Sequence, residues 1–353
     1  MSLFNLKETA FGLDISDRDL RLVQLKKRGK KIFIACFNEI KLPPGCLVGG
    51  EIKQPKIFTD NLKKLVKTKH GHGKLSPEVI AVLPETKTYL RNFSLDLTAG
   101  QTMEEAIAAV LPQYFPLAAE EVNFDWQVIS RNENNVNMLV GVSPKETVSG
   151  YLAALAAADL IPLALEMEAA AIARLLIEHN NQPEPQIIAD LGANRTGLFL
   201  YDQDLIKFNV SLPLSGNAID QLLADKLGLQ LDQAEAAKIA CGLDTGKCQG
   251  AILELLDQPL SLLAEEIVKM ADHYYGNFPQ ANKIQKVVLC GGGANLANIE
   301  TILLRKTGLK TALSDPCKNI INHYPKFFTS SKSQSFVTAL GLALQGLQGE
   351  KIL

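Results

Sequence analysis

Residues 187–202 of this 353-residue chain read IIADLGANRTGLFLYD, and residues 11–25 read FGLDISDRDLRLVQL. In each stretch an apolar strand ends in an acid, Asp14 or Asp190, and is followed by a short turn of small or polar residues. The alternation of apolar and polar residues after each turn predicts a returning strand, so each stretch predicts a β-hairpin. Because the same pattern opens two successive β-rich parts of the chain, we interpret it as a duplicated α/β unit.

Further elements are expected between the two hairpins. Residues 31–37 predict a strand, residues 57–69 a helix and residues 79–83 a buried strand. The pattern of predicted elements then changes, and residues 85–162 predict a small inserted α+β module. The expected elements of that module are a helix at 101–111, strands at 122–130 and 136–142, and a helix at 145–158.

The last third of the chain continues the α/β pattern after a proline-rich connection at residues 182–185. A strand at 286–289 runs into a run of three glycines, and an Ala- and Gly-rich helix at 335–347 is expected to pack closely against a neighbour. Before the strand at 286–289, helices are expected at residues 218–227, 232–241 and 252–275. A further helix is expected after the glycines, from about Leu296.

The composition excludes several classes of protein. Hydrophobic residues make up 47% and charged residues 21% of the chain, as in globular rather than disordered or fibrous proteins. The net charge of -2 gives no overall attraction to nucleic acid or anionic lipid, so any such attraction would come from local charged patches. The most apolar stretch, 151–177, is interrupted by Asp159, Glu166 and Arg174, so it predicts no transmembrane span. We interpret it as two core helices joined at Pro162.

The N-terminus and the cysteines both predict a cytosolic protein. Residues 1–11 carry Lys7 and Glu8 and have no apolar core of a signal peptide. The cysteines form no CxxC pair and are spread along the chain, so reduced thiols are expected rather than a disulfide framework, with no structural metal. They are Cys36, Cys46, Cys241, Cys248, Cys290 and Cys317.

Two charged segments carry a weaker functional signal. The basic run at residues 26–31 predicts a solvated hairpin tip. His70, His72 and Lys74 lie in a glycine-spaced segment that suggests metal or phosphate binding, but no further ligands follow nearby. A solvated loop is the better interpretation of that segment.

Glycine-containing turns after strands bring backbone N–H groups close to an anion, because no Cβ intervenes. Three turns have this character: the one at Ser16, the one at Gly192 with Thr196, and the glycine run at 291–293. The alternative for the glycine run is a tight connection between strand and helix.

Asp14 and Asp190 end the two repeated strands and suggest a metal site. Carboxylates in this position suit a hydrated Mg²⁺ held between two phosphate-binding hairpins, which is the arrangement that phosphoryl transfer requires. The alternative is that each acid caps its own turn. The occurrence of both acids in one repeated frame favours the metal interpretation.

With these residues in place, the order of segments resembles the superfamily of actin, Hsp70 and the sugar kinases. The two phosphate hairpins of that superfamily correspond to residues 11–25 and 187–202, and its adenosine loop to residues 287–298. Its connecting helices correspond to residues 163–176 and 335–344. The resemblance implies an α/β, actin-like fold, which is a duplicated ribonuclease H-like fold with two major domains flanking a nucleotide cleft.

The same resemblance implies the domain limits. Domain 1 (1A) is expected to comprise residues 1–84, 160–181 and 333–353. An inserted α+β subdomain, similar to the 1C subdomain of the superfamily, is expected at residues 85–159. Domain 2 is expected at residues 182–332.

Within the superfamily, nearly the whole chain resembles the PilM family of type IV pilus assembly proteins, which is related to the cell-division protein FtsA. The inserted module carries the most specific motifs: LPET at 83–86, YFP at 114–116, DWQ at 125–127 and SPKE at 143–146. Residues 165–175 look like that family's first connecting helix. Actin-like sugar kinases do not carry this module there.

The resemblance implies ATP and Mg²⁺ as ligands, with Asp14 and Asp190 as catalytic residues that bind the metal through water. Two of the implied nucleotide-binding residues, Glu235 and Lys238, have an alternative interpretation as an exposed ion pair on one helical face. The nucleotide-binding residues implied are Gly12 and Ser16 in the first hairpin, Gly192, Asn194 and Thr196 in the second, Ser215, Gly216 and Asn217 in a turn facing the phosphates, Glu235 and Lys238 beside ribose and base, and Gly291, Gly292 and Gly293 in the adenosine loop.

One departure from the family concerns the first hairpin. Ser16, Asp17 and Arg18 stand where family members usually have Gly-Ser-Ser. A carboxylate beside the phosphates is expected to weaken the anion site unless Arg18 compensates. We therefore expect an ATP binder with slow or no ATPase activity.

The resemblance implies a cytoplasmic scaffold of a type IV pilus inner-membrane platform. Its partner would be the cytoplasmic N-terminal peptide of a PilN-like membrane protein, through which the chain would lie peripherally at the inner membrane. Two alternatives stay open on the sequence alone. One is a small-molecule kinase of the same superfamily, and the other is an FtsA-like cell-division protein.

Overall fold

The computed structural model describes residues 9–96, 100–132, 135–177 and 184–348. The chain divides into two compact units. Unit 1 comprises Met1–Leu175, Pro316–Phe328 and Phe336–Leu353, and unit 2 comprises Leu176–Asp315 and Thr329–Ser335. The domain limits expected from the sequence stay a prediction beside this division.

Unit 1 begins with a meander of three strands, which confirms the first predicted hairpin. All five residues of the first strand are buried, so this part of the sheet is covered on both faces. The elements in chain order are β1 (Phe11–Ile15), β2 (Asp19–Arg28), β3 (Lys31–Lys41), β4 (Leu47–Val48), β5 (Glu51–Ile52), α1 (Pro55–Lys67), β6 (His70–Gly71) and β7 (Glu78–Leu83).

The next segment forms a module with its own core. Three antiparallel strands in the order β8-β10-β9 enclose apolar side chains together with helix α2. Helix α2 begins at a capping box, in which Thr102 Oγ1 accepts from the Glu105 amide at 3.2 Å and Glu105 accepts from the Thr102 amide at 3.0 Å. The elements are β8 (Tyr89–Asp96), α2 (Met103–Tyr114), β9 (Val122–Arg131), β10 (Asn135–Pro144) and α3 (Lys145–Ala157). Strand β8 has no counterpart among the elements predicted from the sequence.

The two-helix interpretation of residues 151–177 is wrong. Helix α3 ends before Asp159, which adopts a left-handed φ of 61°, and the chain then forms strand β11 (Ile161–Met167) before helix α4 (Glu168–Leu176). Strand β11 pairs in parallel with β7 at the edge of the sheet, where Pro162 is tolerated. The connecting helix expected at residues 163–176 therefore starts only at Glu168.

Unit 2 contains a five-stranded sheet covered by helices. Its elements are β12 (Gln186–Leu191), β13 (Thr196–Asp202), β14 (Leu205–Leu212), α5 (Gly216–Leu227), α6 (Leu231–Cys241), α7 (Ala251–Asn277), β15 (Lys286–Cys290), α8 (Ile299–Thr307) and β16 (Thr311–Leu313). Strand β17 (Ile320–Ile321) returns to unit 1, α9 (Ser330–Gln334) belongs to unit 2, and α10 (Val337–Gln348) closes unit 1.

The two sheets share one topology, which confirms the predicted duplication. In unit 1 the central order is β3-β2-β1-β7-β11, and in unit 2 it is β14-β13-β12-β15-β16. In both sheets, the first three strands of this order pair antiparallel. The last two strands run parallel to the central strand, which is β1 in unit 1 and β12 in unit 2. Asp14 and Asp190 thus lie at equivalent places, near the carboxyl ends of β1 and β12.

The expectation of six reduced cysteines is wrong for one pair. A disulfide joins Cys241 to Cys248, whose Cα atoms lie 5.9 Å apart. Helix α6 ends at Cys241, and Gly242, with a φ of 55°, turns the chain so that Cys248 returns to it. The other four cysteines lie outside this disulfide.

Across the residues that the structure describes, we find no helix long and apolar enough to cross a membrane. The longest helix, α7, has 27 residues, but charged side chains interrupt it at Glu254, Asp257, Glu265 and Lys269.

Helix α10 lies so close to its neighbours that Gly341 has no room for a side chain. A Cβ there would overlap the Ala171 carbonyl of α4, with its carbon only 2.5 Å away. We expect Gly341→Ala to lower the free energy of unfolding by about 1–3 kcal/mol through overpacking. Urea denaturation followed by circular dichroism measures this change.

Gly150→Ala is the matched control. Gly150 lies inside α3 with no atom within 4 Å of its would-be Cβ. This variant should stabilise the protein by about 0.5–1 kcal/mol, because alanine is the better helix former. Equal effects of the two variants would contradict the close packing of α10.

Candidate functional site

The turn of the first hairpin is closed by Ser16. Its hydroxyl accepts a hydrogen bond from the Asp19 amide at 3.1 Å and donates to the Asp19 carbonyl at 3.0 Å. The Ser16 amide also donates to that carbonyl, at 3.0 Å. The predicted phosphate-binding hydroxyl therefore stabilises its own turn.

Arg21 joins three carboxylates beside this turn. Its guanidinium contacts Glu39 at 2.6 Å, Asp19 at 2.9 Å and Asp14 at 3.2 Å. The contact with Asp14 follows from the hairpin register, which pairs Asp14 with Arg21 across β1 and β2. Both aspartates are only 6% exposed, so the ion pairs lie largely out of water.

Burial and charge act on these groups in opposite directions. Burial raises the pKa of Asp14, and the attraction of Arg21 offsets only part of that rise. Burial also opposes the charge on Arg21, but its three carboxylate neighbours outweigh it and raise the pKa of the guanidinium. Arg21 is therefore always charged, whereas Asp14 holds its proton to a higher pH than an exposed aspartate.

Asp17, the acid predicted to weaken the phosphate site, binds a neighbouring loop. Its two carboxylate oxygens accept from the amides of Gly49 and Gly50 at 2.7 and 3.0 Å. These hydrogen bonds fix the turn between β4 and β5 and partly neutralise the carboxylate. Asp17 therefore provides an anchor for that turn that a serine at the same position does not provide.

Gly12 serves packing. A Cβ at this position would lie 2.5 Å from the Ala343 amide nitrogen and overlap the Ala339 carbonyl oxygen, both on α10. This position in the first strand of the hairpin is glycine because the helix backbone lies directly on it.

In unit 2 the turn of the second hairpin contacts the start of α5. The Gly192 amide donates to the Arg195 carbonyl at 2.9 Å and so closes the turn. The Gly216 amide then donates to the Gly192 carbonyl at 3.0 Å, and the Asn217 amide to the Ala193 carbonyl at 2.9 Å. The hairpin turn and the N-terminus of α5 are therefore one hydrogen-bonded assembly.

Polar side chains extend this assembly. Ser215 caps α5 by accepting from the Ala218 amide at 3.1 Å, and Asn217 donates to Asn194 at 2.6 Å. The hydroxyl of Thr196 donates to the Leu214 carbonyl at 2.8 Å. The N-terminus of a capped helix carries partial positive charge, which suits an anion.

Lys238 on α6 reaches the same place. Its ammonium group pairs with Asp220 at 2.7 Å and donates to the Gly216 carbonyl at 3.3 Å. The exposed pair between Glu235 and Lys238 stays an alternative from the sequence beside these contacts. Asp220, which is buried on α5, is the partner that fixes the Lys238 ammonium group near the start of that helix.

The glycine run packs against the end of β12. Gly291 has a φ of 81°, and a Cβ there would lie 2.7 Å from the Leu191 carbonyl oxygen and overlap the Asp190 carboxylate. Asp190 is 9% exposed, and Cys290 donates to it at 3.8 Å from the neighbouring strand β15. Gly292 differs from its neighbours, because only the Ser335 hydroxyl, at 3.4 Å, approaches its would-be Cβ.

The predicted residues thus fall into two groups, one in each unit. Unit 1 holds Gly12, Asp14 and Ser16 on one hairpin. Unit 2 brings its hairpin turn to the start of α5, with Lys238 beside it, and brings the glycine run to Asp190 at the end of β12, next to that turn. Glu235 lies on α6 one turn before Lys238.

Sequence reasoning missed four charged residues of these groups: Arg21, Asp19, Glu39 and Asp220. A signal for Arg21 was present, since a turn at Ser16–Asp19 fixes the register that places Arg21 opposite Asp14. No comparable signal marked Asp220, because its contact with Lys238 depends on how α5 packs on α6.

We expect Arg21→Met to lower the free energy of unfolding by about 3–5 kcal/mol at pH 7, because it leaves buried carboxylates without their cation. The loss of Arg21 would raise the pKa of Asp14 further, so the deficit should shrink as the pH falls from 7.5 to 5 and the acids take up protons. Urea unfolding at several pH values measures both effects.

Arg21→Lys is the control, because it keeps the charge and loses only the fork geometry. It should cost less than the methionine variant and show a weaker dependence on pH. A methionine variant as stable as the parent chain at pH 7 would show that Arg21 does not compensate these acids.

Solved structures with this fold were found by comparison. The chain is 25% identical to a chain of a "PilM-PilN type IV pilus biogenesis complex", covering 96% of this chain and 98% of that one, with a TM-score of 0.80. The ethanolamine utilization protein EutJ from Carboxydothermus hydrogenoformans matches at 15% identity, covering 95% of this chain and 89% of that chain, with a TM-score of 0.55. MreB5 of Spiroplasma citri bound to ADP matches at 12% identity, covering 96% of each chain, with a TM-score of 0.53.

These similarities confirm the actin-like α/β fold predicted from the sequence. The family model described as "Type IV pilus assembly protein PilM" matches residues 12–347, which is nearly the whole chain. The chain therefore belongs to the PilM family of type IV pilus assembly proteins.

Proposed function

We propose that this chain is an ATP-binding scaffold of a type IV pilus assembly platform at the cytoplasmic face of the inner membrane. Its partner would be the cytoplasmic N-terminal peptide of a PilN-like membrane protein, which would also bring it to the membrane. The observation that carries this proposal is the match to a chain of a PilM-PilN complex over 96% of its length.

The inserted module supports the scaffold interpretation over a small-molecule kinase. It has its own core, and its Gly141 lies against Met167 of β11, with a would-be Cβ 2.6 Å from the methyl carbon. A sugar kinase of this superfamily would not carry such a module at this point of the chain. Membership in the PilM family likewise favours a pilus partner over a divisome partner.

Nucleotide binding is supported by the unit 2 assembly. The glycine turn at Gly192 lies against the capped start of α5, which carries the partial positive charge of a helix N-terminus, and the ammonium group of Lys238, paired with Asp220, lies beside it. The fold is shared with MreB5, whose structure holds ADP. We propose that the phosphates contact this assembly and that the adenosine lies against the glycine run at 291–293.

Asp14 and Asp190 are the proposed acids for Mg²⁺, through water. The residues around Asp14 fit such an ion, because three carboxylates face one guanidinium and the group keeps net negative charge while they are ionised. When bound, Mg²⁺ would neutralise part of the phosphate charge. Arg21 limits Asp14 as a base, because it pairs with the carboxylate and opposes the rise in its pKa that burial causes, which supports slow or absent hydrolysis.

The nucleotide proposal is tested with Asp190→Asn, which keeps the size of the side chain and removes its charge. The parent chain should bind ATP more tightly with Mg²⁺ than with EDTA, by calorimetry. The variant should lose that gain, so that its affinity with Mg²⁺ falls about tenfold while its affinity in EDTA hardly changes.

Asp225→Asn is the matched control, since Asp225 is exposed on α5 and bonds only to Gln221 among the contacts described. It should leave ATP binding as in the parent chain. Absence of binding heat for the parent chain with Mg²⁺ and ATP would overturn the nucleotide proposal.

The partner proposal is tested with a synthetic peptide. The N-terminal cytoplasmic segment of a PilN-like protein from the same genome should bind the full-length protein, whereas a scrambled peptide of equal charge should not. Fluorescence anisotropy of the labelled peptide gives the Kd. Phosphorylation of a sugar or another small metabolite, with no peptide binding, would instead establish the kinase alternative.

A further inference from the structure

Three segments of unit 1 that are far apart in sequence meet at one edge of its sheet. They are residues 26–33 at the tip of the β2–β3 hairpin, residues 67–74 after α1, and residues 320–328. We call this surface the basic edge. It includes the basic run at residues 26–31 and the segment with His70 and His72, both of which the sequence alone predicts to be solvated.

Backbone pairing to β3 brings the three segments together. Strand β17 pairs in parallel with β3, with Ile321 opposite Phe33, and β6 pairs antiparallel with β3, with His70 opposite Phe37. The His72 amide donates to the Tyr324 hydroxyl at 3.2 Å.

Ring contacts hold the same segments in place. His70 stacks on Phe327 with ring centroids 5.6 Å apart, and Phe33 lies 6.1 Å from His323. The Arg28 guanidinium lies 5.6 Å above the Phe33 ring. The basic edge is therefore a built surface and not three unconnected loops.

The charge of the basic edge is one-sided. Residues 26–33 contain five Lys and Arg residues, residues 67–74 contain three, and residues 320–328 contain one. None of the three segments contains Asp or Glu. Three of the five histidines of the chain lie there as well. This concentration stands out in a chain whose net charge is -2. Most of these side chains are exposed, namely Lys27, Arg28, Lys30, Lys31, Lys67, His70, His72, Lys74, His323 and Lys326.

Large apolar side chains are exposed within the same surface. Phe327, which follows Lys326, is 62% exposed, and Ile321 is 38% exposed. Exposed aromatic and aliphatic groups surrounded by lysines are typical of proteins that lie in the interface of a lipid bilayer, where the cations meet anionic headgroups and the apolar groups enter the acyl boundary.

We propose that the basic edge binds the surface of a bilayer containing anionic phospholipids, with Phe327 inserted below the headgroups. The nine basic residues attract the headgroup phosphates, and Phe327 and Ile321 add apolar contact. Unit 1 then contacts the membrane directly, in addition to any attachment through a partner. This proposal does not depend on the proposed nucleotide or peptide binding.

Nucleic acid is the other polyanion that such a charge pattern suits, but the apolar groups favour the bilayer. Ile321 offers no stacking surface to a base, and one face of the Phe327 ring is already covered by His70. A bilayer accepts both side chains without requiring an open ring face.

The experiment measures co-sedimentation of the full chain with vesicles of phosphatidylglycerol and phosphatidylcholine, beside vesicles of phosphatidylcholine alone. Binding is expected to the anionic vesicles only, and to weaken between 50 and 300 mM salt. Replacing Lys27, Lys30 and Lys31 with Gln should weaken it about tenfold or more, since each basic residue near an anionic surface contributes severalfold in affinity. Replacing Lys226, Lys283 and Lys310 with Gln, on exposed surfaces of unit 2, should leave it unchanged.

Insertion of Phe327 is tested separately. The chain has a single tryptophan, Trp126, so a Trp126→Phe, Phe327→Trp variant reports only on position 327. Its fluorescence should shift to the blue on anionic vesicles and be quenched by brominated acyl chains.

Several outcomes would overturn the proposal. They are no binding to anionic vesicles at 50 mM salt, equal binding to neutral vesicles, retained binding by the Lys27, Lys30 and Lys31 variant, or no quenching at position 327. Tighter binding to DNA than to the vesicles, lost in the same lysine variant, would assign the basic edge to nucleic acid instead.

Discussion

The close approach of α10 to the first strand is the constraint on which unit 1 depends. Gly12 and Gly346 make it possible, because a Cβ on Gly12 would overlap the Ala339 carbonyl and a Cβ on Gly346 the Ala10 carbonyl, and Gly341 lets the same helix approach Ala171 of α4. Backbone contact of this kind brings helix and sheet nearer than side chains allow, and it buries the apolar residues of both. Asp14 lies two residues beyond Gly12, so the position of the first acid is set by this packing.

The first hairpin differs from a simple phosphate loop in how its charges are arranged. Arg21 compensates Asp14, Asp19 and Glu39, and the carboxylate of Asp17 is engaged by two amides of a neighbouring turn. In both features, the charged groups of the hairpin are engaged in contacts within the protein. The second hairpin has its donors and its lysine arranged around one helix start, which is the form that anion binding takes in many folds. For the proposed nucleotide, we therefore expect unit 2 to provide more of the affinity for the phosphates than the first hairpin provides.

A scaffold at the inner membrane needs both a partner and an orientation. In our proposals the peptide of the PilN-like protein provides the partner, and the basic edge provides a second, weaker contact that fixes which side of unit 1 faces the lipid. Two weak attachments that act together bind far more tightly than either alone. The nucleotide would then bind to a chain whose orientation is already set.

The sequence by itself determined the hairpins, the duplication, the separate module and the positions of the candidate acids. It did so because these features depend on local patterns: apolar and polar residues that alternate with a period of two, a turn signal, and an acid at the end of a strand. It did not determine strand β11, because an Ala- and Leu-rich run fits a core helix as well as an edge strand until its pairing with β7 is known. Only the tertiary structure paired Cys241 with Cys248, joined Lys238 to Asp220 and gathered residues 26–33, 67–74 and 320–328 on one edge of a sheet. These contacts depend on packing between segments that are distant in sequence or turned back by a loop, and no local pattern encodes which of them will meet.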